Sequence, residues 1–188
     1  MQSTRLAFIA APGLTVVYGL VRLLDGLDGA HGPGFAWTAG HLAFLAALIL
    51  FVHVILTARR MAGGGAVATT AAVAGVIGLI CSIVQISIDI VVGITAGDTA
   101  EMKQMFGEVQ DVPGVAFAVY GPGPALFYVG LLALAIHLAV ARAAPVWTPV
   151  LLFLGIGVAV ASLDLLPLGG LLILASLVPL ARRTPAST

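Results

Sequence analysis

The stretch ICSIVQISIDIVVG, from Ile80 to Gly93, has the apolar density of a membrane span, yet it carries Gln85 and Asp89 one helical turn apart. It sits inside a longer run, 67–95, that is apolar almost throughout. Coiled as a helix at 1.5 Å per residue, that run is about 43 Å long, more than a hydrocarbon core of about 30 Å requires. Other apolar segments cover about 6–24, 37–58, 118–141 and the unbroken stretch 146–181. The last is too long for one crossing, at roughly 54 Å as a single helix. Within it lies SLDLLPLGG, whose Asp164, Pro167 and Gly169–Gly170 favour a tight turn. Two short spans result, about 146–163 and 165–181, and the fold class expected is an all-α bundle of six transmembrane helices in one membrane domain.

Composition points the same way. Of 188 residues, 61% are hydrophobic and only 9% charged, and the mean hydropathy is +1.16. Soluble domains carry about 25% charged residues, so this chain lacks the charge to cover an aqueous surface. The net charge is zero and the arginines are scattered, which excludes a nucleic-acid surface. The single cysteine, Cys81, has no partner for an internal disulfide or a cysteine metal site, and it reads as a small apolar filler. The first twenty residues resemble a signal peptide, but the apolar run extends to Leu24, and Arg22 and Asp25 stand where small residues would be cleaved. A retained first span fits better.

Charge placement supplies an orientation. With the N-terminus in the cytoplasm, Arg5, Arg59–Arg60, Arg142 and Arg182–Arg183 all fall inside, while Asp25, Asp28, Asp98, Glu101, Glu108 and Asp111 fall outside. A five-span count would put the last arginine pair outside, against the positive-inside bias, so both ends are expected inside. Trp37 and Trp147 fall at span ends, where indole rings favour the interface. The absence of a cleavable signal, the short loops and an arginine- and alanine-rich composition point to a bacterial cytoplasmic membrane. In the longer outer loop, Asp98 and Glu101 have the spacing of a helix cap and its reciprocal partner. Met102, Met105, Phe106 and Val109 follow at helical spacing. A short amphipathic helix over about 98–110 is expected, lying on the outer surface or over the bundle as a lid.

Gly75, Gly78, Ser82, Gln85, Asp89 and Gly93 fall within about 80° on one face of the third span, at 100° per residue. Small and polar side chains in a stripe allow close helix approach and hydrogen bonds between helices, so Asp89 is expected to face the bundle. A carboxylate in a span costs roughly 2.5–3.5 kcal/mol on insertion scales and requires a proton or a partner. Arg22 stands out as the arginine in the outer half of a span, on one face with Thr15 and Tyr18. Its candidate acids are Asp25 nearby and Asp89 or Asp164 at a distance. His41 is also in the outer half. Together Arg22, His41, Gln85, Asp89, Asp164 and Tyr18 form a candidate outward polar cluster for a small solute or a proton relay, since ionisable groups within a membrane mark such paths. The same cluster is also compatible with a network that only orders the helices.

His53 and His137 lie about one and a half turns before Arg59 and Arg142 on two different spans, and so at one depth. Bis-imidazole ligation of a b-type haem needs such a pair. Glycine crossings and propionate partners beside them are missing, and no cofactor is the primary expectation. No phosphate-binding loop, zinc motif or nucleophile elbow occurs, and the short loops offer little aqueous face for chemistry, so no enzymatic activity is expected. The functional classes left are a small transporter or sensor of solute or protons, a non-catalytic subunit packing against partner helices or a second copy in the lipid bilayer, and a haem-carrying redox protein.

Overall fold

The structure, a computed structural model, describes residues 2–29 and 31–183; these are predominantly helical and contain no strand. Eight α-helices follow in chain order: α1 (Gln2–Asp25), α2 (Phe35–Met61), α3 (Ala66–Thr95), α4 (Thr99–Asp111), α5 (Val115–Ala118), α6 (Pro122–Val140), α7 (Trp147–Ala161) and α8 (Leu166–Arg183). Five segments are long and apolar enough to cross a membrane: Arg5–Asp25, Phe35–Met61, Ala66–Thr95, Val115–Val140 and Leu163–Arg183. The sixth apolar helix, Trp147–Ala161, is shorter. Their lengths and compositions are those of a helical membrane bundle. The extreme chain ends, which the charge pattern assigns to the cytoplasm, lie outside the described residues.

The long helices form a closed ring in the order α1, α2, α3, α6, α7, α8, with α2 also reaching α6. One end of the ring carries Arg59–Arg60, Arg142 and Arg182–Arg183, and the Arg183 guanidinium donates to the Arg142 carbonyl there at 3.3 Å. The opposite, acidic end carries the loops after α1 and α3. A close-packed core of Phe8, Leu48, Phe51, Ile55, Leu134, Leu138 and Leu177 occupies the arginine end.

Close helix approach explains the placement of the glycines. The α3–α6 crossing sets Gly75 and Gly78 directly against the backbone of α6 at Gly130 and at Leu126–Phe127. A Cβ at Gly78 would stand 2.7 Å from the Leu126 carbonyl carbon. Where lipid surrounds the helices, such small-residue contacts replace hydrophobic burial as the source of association. The stripe expected on the third span is thus used within the chain, rather than being presented to a partner helix.

The chain reverses between α7 and α8 where the sequence suggested a break, but by different means. Ser162 is extended, and its hydroxyl accepts from the Asp164 amide at 3.2 Å, closing a short 3-10 turn over Leu163–Leu165. Pro167 then falls in the first turn of α8, where a missing N–H leaves no bond unmade. Gly169 and Gly170, expected in the turn, lie inside α8. Gly169 meets Gly155 and Ala159 of α7, and Gly170 meets Val16 of α1.

The amphipathic helix expected over about 98–110 is α4. Asp98 caps it, accepting from the Ala100 and Glu101 amides at 2.8 Å each, while Glu101 reaches back to the Gly97 amide at 2.7 Å. Met102 is buried against Val92 and Ala96, with Met105, Phe106 and Trp37 around it. The apolar face of α4 therefore rests on the ends of α2 and α3.

Candidate functional site

Two residues of α2, one turn apart, position the acid on α3. Trp37 and His41 stack with ring centroids 4.1 Å apart, and His41 Nδ1 lies 2.7 Å from the Trp37 carbonyl. The Trp37 indole N–H crosses to α3 and donates to the backbone carbonyl of Asp89 at 2.9 Å. Gly93 makes that bond possible, because a Cβ there would collide with the indole ring. Trp37 is therefore a strut between two helices.

Asp89 is buried and 8% exposed. Its Oδ1 accepts from the Tyr120 hydroxyl at 3.1 Å, and its Oδ2 stands 4.0 Å from His41 Nε2. The tautomer of His41 follows from its other partner. A carbonyl can only accept, so Nδ1 carries the hydrogen that bridges to Trp37, and in the neutral ring Nε2 keeps a lone pair. The Tyr18 hydroxyl, 3.4 Å away, then donates to Nε2. A neutral His41 thus offers Asp89 Oδ2 no hydrogen. A second proton on the ring would turn the same contact into an ion pair.

Of the three candidate acids for Arg22, Asp164 is the one it faces. Its Nε lies 3.8 Å from Asp164 Oδ1, within ion-pair distance of that acid and not of Asp89. The ring order gives the reason: α1 neighbours α2 and α8, and α3 lies beyond α2. Packing of Gly19 against Pro167 brings the end of α1 to the α7–α8 turn, and with it Arg22 to Asp164. Asp25, the local candidate, instead faces His31 at 3.5 Å.

A cavity of about 470 Å³ opens between these groups in the half of the bundle toward the acidic end. Tyr18, Arg22, His41, Gln85 and Asp89 all line it, as does Ser82 of the α3 stripe. Asp164 stands outside the lining, its side chain 63% exposed. Tyr120, which the sequence does not mark as a site residue, is the direct partner of Asp89. The nearest signal is Gly121–Pro122, which marks the start of α6 just after it. Phe44 and Tyr128 also reach the cavity, from positions that read as ordinary core.

His53 and His137 lie half-buried on α2 and α6, away from this lining. Among the described residues no group of three or more His, Cys, Asp or Glu side chains is arranged to hold a metal ion. Comparison with family models, curated proteins and solved structures gives no match to this chain, so the site is interpreted through its own geometry.

Proposed function

We propose that this chain is a six-span protein of the bacterial cytoplasmic membrane, with both ends inside, that binds a small polar solute around Asp89 as a transporter or sensor. One observation carries the reading: the 470 Å³ cavity gathers Arg22, His41, Gln85 and Asp89 from three helices that are otherwise apolar. Ionisable groups inside a membrane are costly and mark solute or proton paths. A structural network alone would have closed on itself, whereas here Asp89 keeps an oxygen without a donor. In this orientation the cavity faces outward, and α4 packs beside its Trp37 wall, with Phe106 6.2 Å from that ring.

Access from outside is the test. In a Cys81→Ala background, Gln85→Cys places a thiol in the lining. A membrane-impermeant cationic thiol reagent added to intact cells is expected to modify it. Modification only after the cells are opened, or only after denaturation, would sink the outward site. A reporter fused after Thr188 and found outside the cell would sink the six-span orientation.

A further inference from the structure

Another opening lies at the arginine end, between α2 and α3. It is a groove of about 360 Å³ walled by Leu56 of α2 and by Val73, Val76 and Ile77 of α3, with Arg59 and Thr69 at one end. Leu56, Val73 and Ile77 are exposed, so the groove opens on the outer surface of the ring. The small side chain of Ala72 floors it. Its shape limits what can enter. Thr69 and Ile77 are eight residues apart on one helix, a rise of about 12 Å. A volume of about 360 Å³ spread over that length leaves roughly 30 Å² of cross-section. An α-helix with its side chains is about 10–12 Å across, too wide to enter, whereas an extended hydrocarbon chain fits.

Arg59 is fixed at the mouth. Its Nε donates to the Thr69 hydroxyl at 3.1 Å, and that hydroxyl donates to the Gly64 carbonyl at 3.1 Å. The guanidinium lies over the turn, since a Cβ on Gly64 would stand 3.9 Å from Arg59 Nη2. Thr69 uses one N–H of the guanidinium, and those of its terminal nitrogens meet no protein acceptor among the described residues. The ion pairs of the described residues involve Asp25, Asp89 and Asp164, and none reaches Arg59 or Arg60. Two adjacent positive charges at the mouth are thus unbalanced by the chain.

We propose that this groove binds an anionic phospholipid, with one acyl chain along Leu56, Val73, Val76 and Ile77 and the phosphate on the terminal nitrogens of Arg59. The planar guanidinium presents parallel N–H groups to two phosphate oxygens, and Arg60 adds charge beside it. A zwitterionic lipid brings its own ammonium and leaves the arginine pair unmatched. A free phosphate leaves the apolar walls bare. Basic pockets between spans on the cytoplasmic side recognise anionic head groups, and the proposed orientation puts this mouth at the inner leaflet. The inference needs the bundle to span a membrane and is independent of what the Asp89 cavity binds.

The test mixes the full-length protein, in a neutral detergent, with dioleoylphosphatidylglycerol or dioleoylphosphatidylcholine and counts bound lipid by native mass spectrometry. One phosphatidylglycerol is expected to bind at least about fivefold more tightly than phosphatidylcholine, the factor that one arginine near the membrane surface contributes. Arg59→Gln should lower phosphatidylglycerol affinity by about the same factor. Arg182→Gln removes an equal charge from the same end, but on α8, which packs against α1 and α7. Screening over that distance should hold its effect below about twofold. Val73→Phe fills the groove from an exposed position and should displace the lipid although both charges remain. Glycerol phosphate, which has the charge and no chain, should not compete at equal concentration. Equal binding of the two lipids, undiminished binding by Arg59→Gln or Val73→Phe, or an equal loss in Arg182→Gln would each overturn the proposal. Competition by glycerol phosphate would also overturn it, in favour of a site for phosphate alone. So would a dimer lost in Val73→Phe with lipid binding intact, which would make the groove a seat for a second copy. The comparison of the two lipids on the unsubstituted protein decides the matter if a variant does not fold.

Discussion

Replacing Gly78 by alanine tests whether α3 and α6 are held by direct backbone contact. The new Cβ would stand 2.7 Å from the Leu126 carbonyl carbon and 2.8 Å from Phe127 Cα, where ordinary contact begins at 3.4 Å. Both neighbours are backbone, so no rotamer change relieves the overlap. The Phe127 amide nitrogen lies closer still, so the helices must part by more than the 0.7 Å between 2.7 and 3.4 Å. A gap of 0.5–1 Å forfeits about a quarter to a half of the dispersion well for each facing atom pair, and overpacking of this kind costs about 1–3 kcal/mol. Gly130→Ala meets Gly75 Cα at 2.6 Å across the same crossing, so once one substitution has parted the helices the second costs less. The double variant is expected to lose less than the sum of the two singles. Gly157→Ala is the control: it is exposed with nothing within 4 Å, and should change stability by no more than about 0.5 kcal/mol. Equilibrium unfolding by SDS titration in mixed micelles measures all four. If Gly78→Ala is as neutral as Gly157→Ala, the crossing is not a close-packed contact and the argument fails.

Three other expectations concern the polar groups. The double-mutant cycle of Arg22→Gln with Asp164→Asn should give a coupling below about 1 kcal/mol, since the pair is long and its acid mostly exposed, and the cycle of Arg22→Gln with Asp89→Asn should give none; several kcal/mol in the second cycle would refute the assigned partners. Trp37→Phe keeps the stack on His41 and loses the bond to Asp89, at a cost of about 0.5–1.5 kcal/mol, whereas Trp37→Ala also empties the space over Gly93 and should cost about 3 kcal/mol or more, both read by the same SDS titration. The purified protein is expected to show no Soret band in its visible spectrum; a band lost in His53→Ala or His137→Ala would establish haem ligation instead.

The helical bundle could be read from the sequence because its signals are local. Apolar length marks the long helices, the Asp98 and Glu101 spacing marks the cap of α4, and the 100° periodicity of Gly75, Gly78, Ser82 and Asp89 marks the packed face of α3. The break before α8 was also visible, although Gly169–Gly170, counted toward it with Asp164 and Pro167, serve helix packing instead. Glycine signals either a turn or a close approach, and only the neighbouring helix decides which. Partners within the site were harder to place. Arg22 and Asp89 lie at matching depth, but depth says nothing about ring order, and α2 stands between their helices. Trp37 illustrates the same limit, since nothing local in the sequence says that Gly93 on another helix leaves room for its ring.

The shortness of α7 has a mechanical consequence. Fifteen residues make a helix of about 22 Å, roughly 8 Å less than a typical hydrocarbon thickness. Its neighbours α6 and α8 are longer, so on the proposed six-span reading hydrophobic mismatch is confined to one side of the bundle. On that reading, lipid beside Phe153 and Val160, which are 62% and 71% exposed, must thin locally or admit headgroups to the level of Ser162 and Asp164, at a cost of fractions of a kcal/mol per Å. Val160 and Leu163 also belong to the cavity wall. Thinner bilayers relieve this strain and thicker ones increase it, so acyl-chain length loads the α7–α8 turn and, through Arg22 and Asp164, the rim of the cavity.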